Sequence, residues 1–296
     1  MFDLLFDNPA VIVQGITGKH GAFHTLEMLR AGTRVMAGVT PGKAGESIHG
    51  VEVYNTVAEA KNECLASISI IFVPAPFARA AMEEAIEAGI ELIICITEGI
   101  PVHDMLGVLQ KAKEAGTLIV GPNCPGLLIP SVIKLGIIPE SIGLPGSVAV
   151  VSRSGTLTYE AAASLSAKGI GQRYIVGIGG DRLRGTSFVD CLRQFQADQN
   201  VSHIVLIGEI GGADEQAAAA YIRSHITKPL FAYIVGHSAP PETQLGHAGA
   251  IMGSEYESAA AKTEQLRAAG ATVASSLPEL VQIVAEAYDP TQATLP

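Results

Sequence analysis

No apolar run in the 296-residue chain reaches the ~18 residues a bilayer-spanning helix requires; candidates such as 91–100 are interrupted by Glu98 and Gly99. A membrane span is therefore not expected. No basic segment precedes an apolar stretch after Met1-Phe2-Asp3, so a secretory signal is not expected either. The expected location is the cytoplasm, or the mitochondrial matrix where a transit peptide has been removed. Cysteine is sparse: Cys64, Cys95, Cys124 and Cys191 show no short pair spacing, which argues against a disulfide framework or a zinc knuckle. Reduced thiols and no metal site are expected. Positive charge is also short, with 19 Lys and Arg against 29 Asp and Glu and a formal charge of −10. That balance opposes duplex nucleic-acid binding, so any anionic ligand has to be held by local features. Short tandem repeats and low-complexity tracts are missing.

What is present is apolar and periodic. Hydrophobic residues make up 48% of the chain and charged residues 16%, the balance of a globular protein with much buried parallel sheet. The length suits two domains, each large enough to close its own core. Apolar runs at 10–13, 34–37, 68–73, 91–97 and 117–121 alternate with helical patterns at 20–31, 78–88 and 104–115, which predicts a Rossmann-like domain. Over 122–146 the periodicity gives way to turn formers, among them Pro122-Asn123, Pro125-Gly126 and Pro145-Gly146. The predicted domains are 1–122 and 123–296. In the second, strands at 148–151, 174–178, 203–207, 230–235 and 272–274 alternate with helices at 154–168, 188–196, 214–224, 257–269 and 278–287, a flavodoxin-like order.

In α/β sheets of this kind, chemistry sits in the loops that follow the strands. The first strand runs into Gln14-Gly15-Ile16-Thr17-Gly18-Lys19-His20-Gly21, where glycines let the backbone approach a pyrophosphate and the next helix offers unpaired amides. The spacing is G-x-x-G-x-x-G rather than the nicotinamide G-x-G-x-x-G, and the same glycines also serve as plain strand–helix punctuation. After the second strand NAD enzymes place an acid for the ribose hydroxyls, whereas this chain has Gly38-Val39-Thr40-Pro41-Gly42-Lys43. Lys43 suits a ribose phosphate, either the 3′-phosphate of coenzyme A or the 2′-phosphate of NADP, and alone it does not choose between them. Val73-Pro74-Ala75-Pro76 and Thr97-Glu98-Gly99-Ile100-Pro101 either wall a groove or shape turns.

In the second half, Ser152-Arg153-Ser154-Gly155-Thr156 opens a helix, where the dipole favours a phosphate. A nucleophile elbow needs glycine two residues before Ser154, and position 152 is serine, so Ser154 reads equally as a helix N-cap. His247 stands in Gly246-His247-Ala248-Gly249-Ala250 within an irregular stretch, one of eight histidines. An imidazole attacks phosphorus when its other nitrogen is held by an acceptor, and Glu209, in Gly208-Glu209-Ile210-Gly211-Gly212 at another strand end, is a candidate for that hold.

Taken in order, these segments together with Gly121-Pro122-Asn123-Cys124-Pro125-Gly126 resemble the α subunit of succinyl-CoA synthetase over nearly the whole chain. The resemblance implies an N-terminal Rossmann-like CoA-binding domain followed by a flavodoxin-like ligase domain. It further implies CoA contacts at Thr17, Gly18, Lys19, Lys43, Val73, Pro74, Glu98 and Cys124. His247 would be phosphorylated and held by Glu209, with Ser154, Gly155 and Thr156 receiving the phosphate. The same resemblance implies an ATP-grasp β subunit carrying ATP or GTP with Mg, an αβ or α2β2 assembly, and a small dicarboxylate substrate. Ligases acting on malate or citrate share this plan, as does, in part, a non-catalytic CoA-binding regulator. The four-part citrate-cleaving enzyme is not expected, since no further domain follows Pro296. Two segments depart from the family: Pro241-Glu242-Thr243-Gln244-Leu245 is acidic or neutral where relatives are basic, and Met252-Gly253-Ser254-Glu255-Tyr256 replaces a glycine-rich turn. Both bear on the substrate acid and the partner surface.

Overall fold

Short, fully buried strands of Val, Ile and Leu are the framework of the computed structural model of the chain, which describes residues 2–237, 247, 249–251 and 253–289. It divides into two compact units, 2–138 with 183–185, and 139–182 with the described residues from 186 on.

The first unit begins β1 (Val11–Gln14), α1 (Lys19–Arg30), β2 (Val35–Val39), β3 (Ser47–Ile48), β4 (Val51–Tyr54), α2 (Val57–Cys64), β5 (Ile68–Ile71), α3 (Ala75–Glu87), β6 (Leu92–Cys95), α4 (Val102–Ala115) and β7 (Leu118–Val120). The sheet order is β3-β4-β2-β1-β5-β6-β7, with only the β3/β4 pair antiparallel. Without the edge strand β3 this is the Rossmann order, and its direction reverses between β1 and β5. Both faces of β1, β5 and β6 are buried, which is why these strands read as unbroken apolar runs. Ile12, Ile71 and Ile93 pack with Met82 of α3 and Val108 of α4 in one core.

Several short elements escape the periodicity. In β4, Val-Glu-Val-Tyr alternates buried and less buried positions over only four residues. Eight-residue α2 depends on the reciprocal capping box of Thr56 and Glu59, a T-x-x-E signature beside a weak apolar stripe. The turn-rich stretch after residue 122 holds a hairpin of β8 (Gly126–Ile129) and β9 (Ile133–Gly136), paired antiparallel. Its ends need glycine: a Cβ on Gly126, at φ +93°, would stand 2.0 Å from the Leu135 carbonyl oxygen. Thr33 Oγ1 donates to the Lys134 carbonyl at 2.8 Å and accepts from its amide at 3.0 Å, tying β9 to the loop after α1. The compact units accordingly part at 138/139, whereas the composition shift predicts 122/123.

The second unit runs β10 (Pro145–Ser152), α5 (Gly155–Ala167), β11 (Gln172–Gly177), α6 (Phe188–Ala197), β12 (His203–Glu209), α7 (Asp214–His225), β13 (Leu230–Val235), α8 (Ala259–Ala268), β14 (Thr272–Ala274) and α9 (Leu277–Ala287). These strands are parallel in the order β14-β13-β12-β10-β11, the flavodoxin-like arrangement, with its reversal between β10 and β12. Val148, Val150, Val205 and Ile207 pack against Leu165 of α5 and Val281 and Val284 of α9. Among the described residues no helix is long and apolar enough to cross a membrane.

Candidate active site and ligand crevice

At the reversal of the first sheet a cavity of about 600 Å³ opens at the carboxyl ends of β1, β2 and β5. Gly15, at φ +77°, turns the chain out of β1 so closely that an added Cβ would stand 3.2 Å from the Phe72 carbonyl carbon. Gly21 lets α1 pass over that turn, since a Cβ there would fall 2.2 Å from the Gly15 carbonyl oxygen. Gly18 caps α1 without a side chain, so the unpaired amides of the first turn are left for a ligand. Thr17, Gly18, Lys19, Val73 and Pro74 line the cavity. Apolar Phe72 and Phe77 line it as well.

The remaining predicted contacts sit elsewhere. Lys43 is exposed in the loop after β2, paired with Glu46 at 2.9 Å. Glu98 is exposed after β6. Cys124 is buried, its thiol donating to the Cys95 carbonyl at 3.2 Å. Sequence reasoning passed over Gln14, the one polar residue of β1. It lines the cavity while Nε2 donates to Ser69 Oγ at 2.9 Å and the Ala81 carbonyl at 3.0 Å. A glutamine closing an otherwise apolar strand is the signal that marks it.

In the second unit His247 meets Glu209, the last residue of β12, with Nδ1 2.8 Å from Oε2. The imidazole lies against Gly180, where a Cβ would come within 2.4 Å of the ring, and the Gly249 amide donates to the Gly180 carbonyl at 3.0 Å. The imidazole side chain is 28% exposed, whereas Glu209 is 5% exposed, so the ring is reachable and its acceptor is not. The hydrogen bond to Glu209 raises the pKa of His247 above the ordinary range, against the opposing effect of burial.

Behind Glu209 lies a charge cluster that sequence reasoning missed. Arg153, between β10 and α5, places Nη2 3.2 Å from Glu209 Oε1 and Nη1 3.1 Å from Glu215 Oε1. Lys262 of α8 pairs with Glu215 and donates to the Glu209 and Gly211 carbonyls at 2.8 and 2.7 Å. Arg153 and Lys262 hold the buried Glu215 carboxyl below its usual range although burial pushes it upward. Such residues are visible in sequence only as charges beside apolar or alanine-rich segments, and nothing in their spacing joins four separate segments.

Ser154 is the N-cap of α5, its Oγ accepting from the Leu157 amide at 3.4 Å. Gly155 and Thr156 contribute the first-turn amides. Gly246, Ala248, the departing segment 241–245 and Met252 lie outside the described residues. Among those described, no group of three or more His, Cys, Asp and Glu side chains could hold a metal ion.

Two family models match the chain, described as CoA binding domain over 6–99 and CoA-ligase over 151–272. Succinate–CoA ligase (ADP-forming) subunit alpha 2 of Archaeoglobus fulgidus is 52% identical over 276 residues, 93% of this chain and 96% of the relative. The chain belongs to the succinate–CoA ligase alpha-subunit family. Alpha subunits of the same description from Methanothermobacter thermautotrophicus and Staphylococcus aureus are 51% and 48% identical, covering 91% and 95% of the chain and 92% and 93% of theirs. An ATP citrate lyase from Methanosaeta concilii, solved with (3S)-citryl-CoA, superposes with a TM-score of 0.87 at 27% identity. That match covers 95% of this chain, which spans half the length of the lyase chain. The two family segments fall on the crevice and on the histidine site: 6–99 holds every residue lining the crevice, and 151–272 holds Arg153, Gly180, Glu209, Glu215, His247 and Lys262.

Proposed function

We propose that the chain is the α subunit of a succinate–CoA ligase that carries phosphate on Nε2 of His247. The contact between Nδ1 and Glu209 carries the proposal. With Nδ1–H donating to the carboxylate, the lone pair resides on Nε2, and the tautomer a phosphoryl acceptor needs is fixed. Nε2 attacks the terminal phosphorus of a nucleoside triphosphate and the diphosphate leaves. A carboxylate oxygen of succinate then takes the phosphoryl group, giving an acyl phosphate and regenerating the imidazole. The CoA thiolate attacks the acyl carbon, forming the thioester and releasing phosphate. The amides of Gly155 and Thr156, with the Ser154 cap holding the first turn, are assigned to the phosphate on the strength of the helix dipole.

CoA is assigned to the first crevice, whose composition suits it. Thr17, Gly18 and Lys19 at the start of α1 meet the diphosphate, and Phe72, Val73, Pro74 and Phe77 offer apolar wall to the pantetheine arm. Lys43 shares a loop with the lining residues Thr40 and Pro41, and its exposed ammonium is assigned the ribose phosphate. Glu98 is assigned a contact from the neighbouring strand end, and Cys124, buried against the ends of β6 and β7, a supporting role. An ATP-grasp β subunit in an αβ or α2β2 assembly supplies the nucleotide site with its Mg, and the cytoplasm is the assigned location.

The test is incubation of the chain with its β subunit and γ-labelled ATP. Acid-labile label on the α chain, discharged by succinate with CoA and lost in His247→Asn, is the expected result. A panel of succinate, malate and citrate reads the acid, succinate being expected to discharge the label fastest. Full labelling of His247→Asn would end the proposal.

A further inference from the structure

Glu209 faces His247 with one oxygen, and the surroundings of the other are unusual. Among the described residues the buried Oε1 has no hydrogen-bond partner; its compensation is the Arg153 guanidinium, 3.2 Å away but not aligned for one. The interaction at this oxygen is therefore charge rather than a directed bond. Arg153 is itself fixed: it is 1% exposed, and Nη1 donates to the Gly211 carbonyl at 2.9 Å and to Glu215. A Cβ on Gly249 would stand 3.0 Å from Nη2, so the guanidinium also supports the loop that carries the histidine.

Among the described residues, the charged groups facing the imidazole are Glu209 from β12, Arg153 from the β10–α5 turn, and Asp181 from the loop after β11. Behind them stand Asp214 and Glu215 of α7 and Lys262 of α8. Within the fully buried part, two cations, Arg153 and Lys262, match two carboxylates, Glu209 and Glu215. The cluster is neutral before the histidine is counted. Glu209 thus accepts a hydrogen bond from Nδ1 beside a buried set of balanced charges, and the negative charge that favours an imidazolium there is that of Glu209 and Asp181.

Resting on the phosphohistidine reading above, we propose that Arg153 is a positioning residue for His247: it anchors Glu209 through Oε1, and its fixed charge opposes the carboxylate's tendency to turn the imidazole into an imidazolium. A protonated ring has no lone pair on Nε2 and cannot attack phosphorus. Arg153 does not touch the reacting atoms. Its charge lowers the proton affinity of His247, in opposition to Glu209 and Asp181, which raise it.

The experiment is the pH dependence of phosphoryl uptake from γ-labelled ATP by the assembled α and β subunits. In R153M the midpoint of the acid limb should move upward by about one pH unit, since the carboxylate acts unopposed. R153K keeps the charge and should return the midpoint to within about 0.3 units while uptake stays slower, because the fork to Gly211 and Glu215 is lost. E215Q leaves Glu209 and His247 in place and frees Arg153 to act on Glu209 alone, so its midpoint should move downward. Should R153M fail to assemble, E215Q decides. A midpoint unchanged in R153M, or in E215Q where only that variant assembles, overturns the proposal, because a purely structural role lowers the amplitude of the profile without displacing it. Absence of label in the unsubstituted assembly would instead remove the phosphohistidine reading on which the proposal rests.

Discussion

The ligand crevice and the histidine site occupy the same topological place, the reversal of a parallel sheet, and are built by opposite means. In the first, the ligand surface is backbone and apolar side chain: glycines at 15, 18 and 21, the start of α1, and the Phe72–Pro74 turn. In the second, the surface rests on buried charge drawn from the β10–α5 turn, β12, α7 and α8. A diphosphate held by amides needs a chain that can come close, which glycine permits. A histidine that must gain and lose a phosphoryl group needs a fixed tautomer and a controlled proton, which only charged partners supply.

Separate substitutions should disturb one site and spare the other. The largest effect is expected for Glu209→Gln, which should slow phosphoryl uptake by about 10²–10⁴-fold, as removal of a histidine's orienting carboxylate does elsewhere. Calorimetric CoA binding should stay within about twofold, and a matching loss there would show that the two sites are not independent. Gly21→Ala reverses the pattern. Its Cβ would collide with the Gly15 carbonyl, so CoA binding should weaken by at least about tenfold and stability fall by about 1–3 kcal/mol, with labelling of His247 retained.

A pH effect of intermediate size is expected from the first unit. His24 on α1 stacks on Phe72 at 5.7 Å, and burial, with help from Lys134 and His20, pushes its pKa down to about 4 against the opposing influence of Glu27. The unfolded chain therefore binds this proton more readily than the folded one. The contribution of His24 is complete above pH 6.5 and is lost as pH falls from there towards about 4. Denaturant titrations across that range should show a slope that His24→Gln flattens. The smallest effect is expected for Ser154→Ala. The hydroxyl caps α5, so stability should drop by about 1 kcal/mol while uptake changes less than about threefold, because the Gly155 and Thr156 amides stay in place.

The same contrast explains what the sequence discloses. Parallel strands buried on both faces announce themselves as runs such as Val11-Ile12-Val13 and His203-Ile204-Val205-Leu206-Ile207, and the order of elements led to both sheet types. The glycine turn after β1 is legible because its chemistry is local and consecutive. The apolar runs at 68–73 and 91–97 outlast β5 and β6 by two residues, and those surplus residues form loops at the strand ends. Glu209 and His247 were paired from their strand-end context. Arg153, Glu215 and Lys262 were not, because the partner of each lies 47 to 62 positions away. The β8/β9 hairpin was hidden by the turn residues that make it possible: Gly126 and Gly136, at φ +93° and +114°, sit inside strands instead of between them.

The central claim is that His247 carries the phosphoryl group with Glu209 on its other nitrogen. Phosphorus-31 NMR and mass spectrometry of the assembly trapped with nucleoside triphosphate test it most directly. The predicted result is one acid-labile phosphoramidate, on Nε2 of His247, that disappears on addition of succinate and CoA. A modification at Nδ1 or on another residue, or turnover with no covalent phosphate at all, would contradict it.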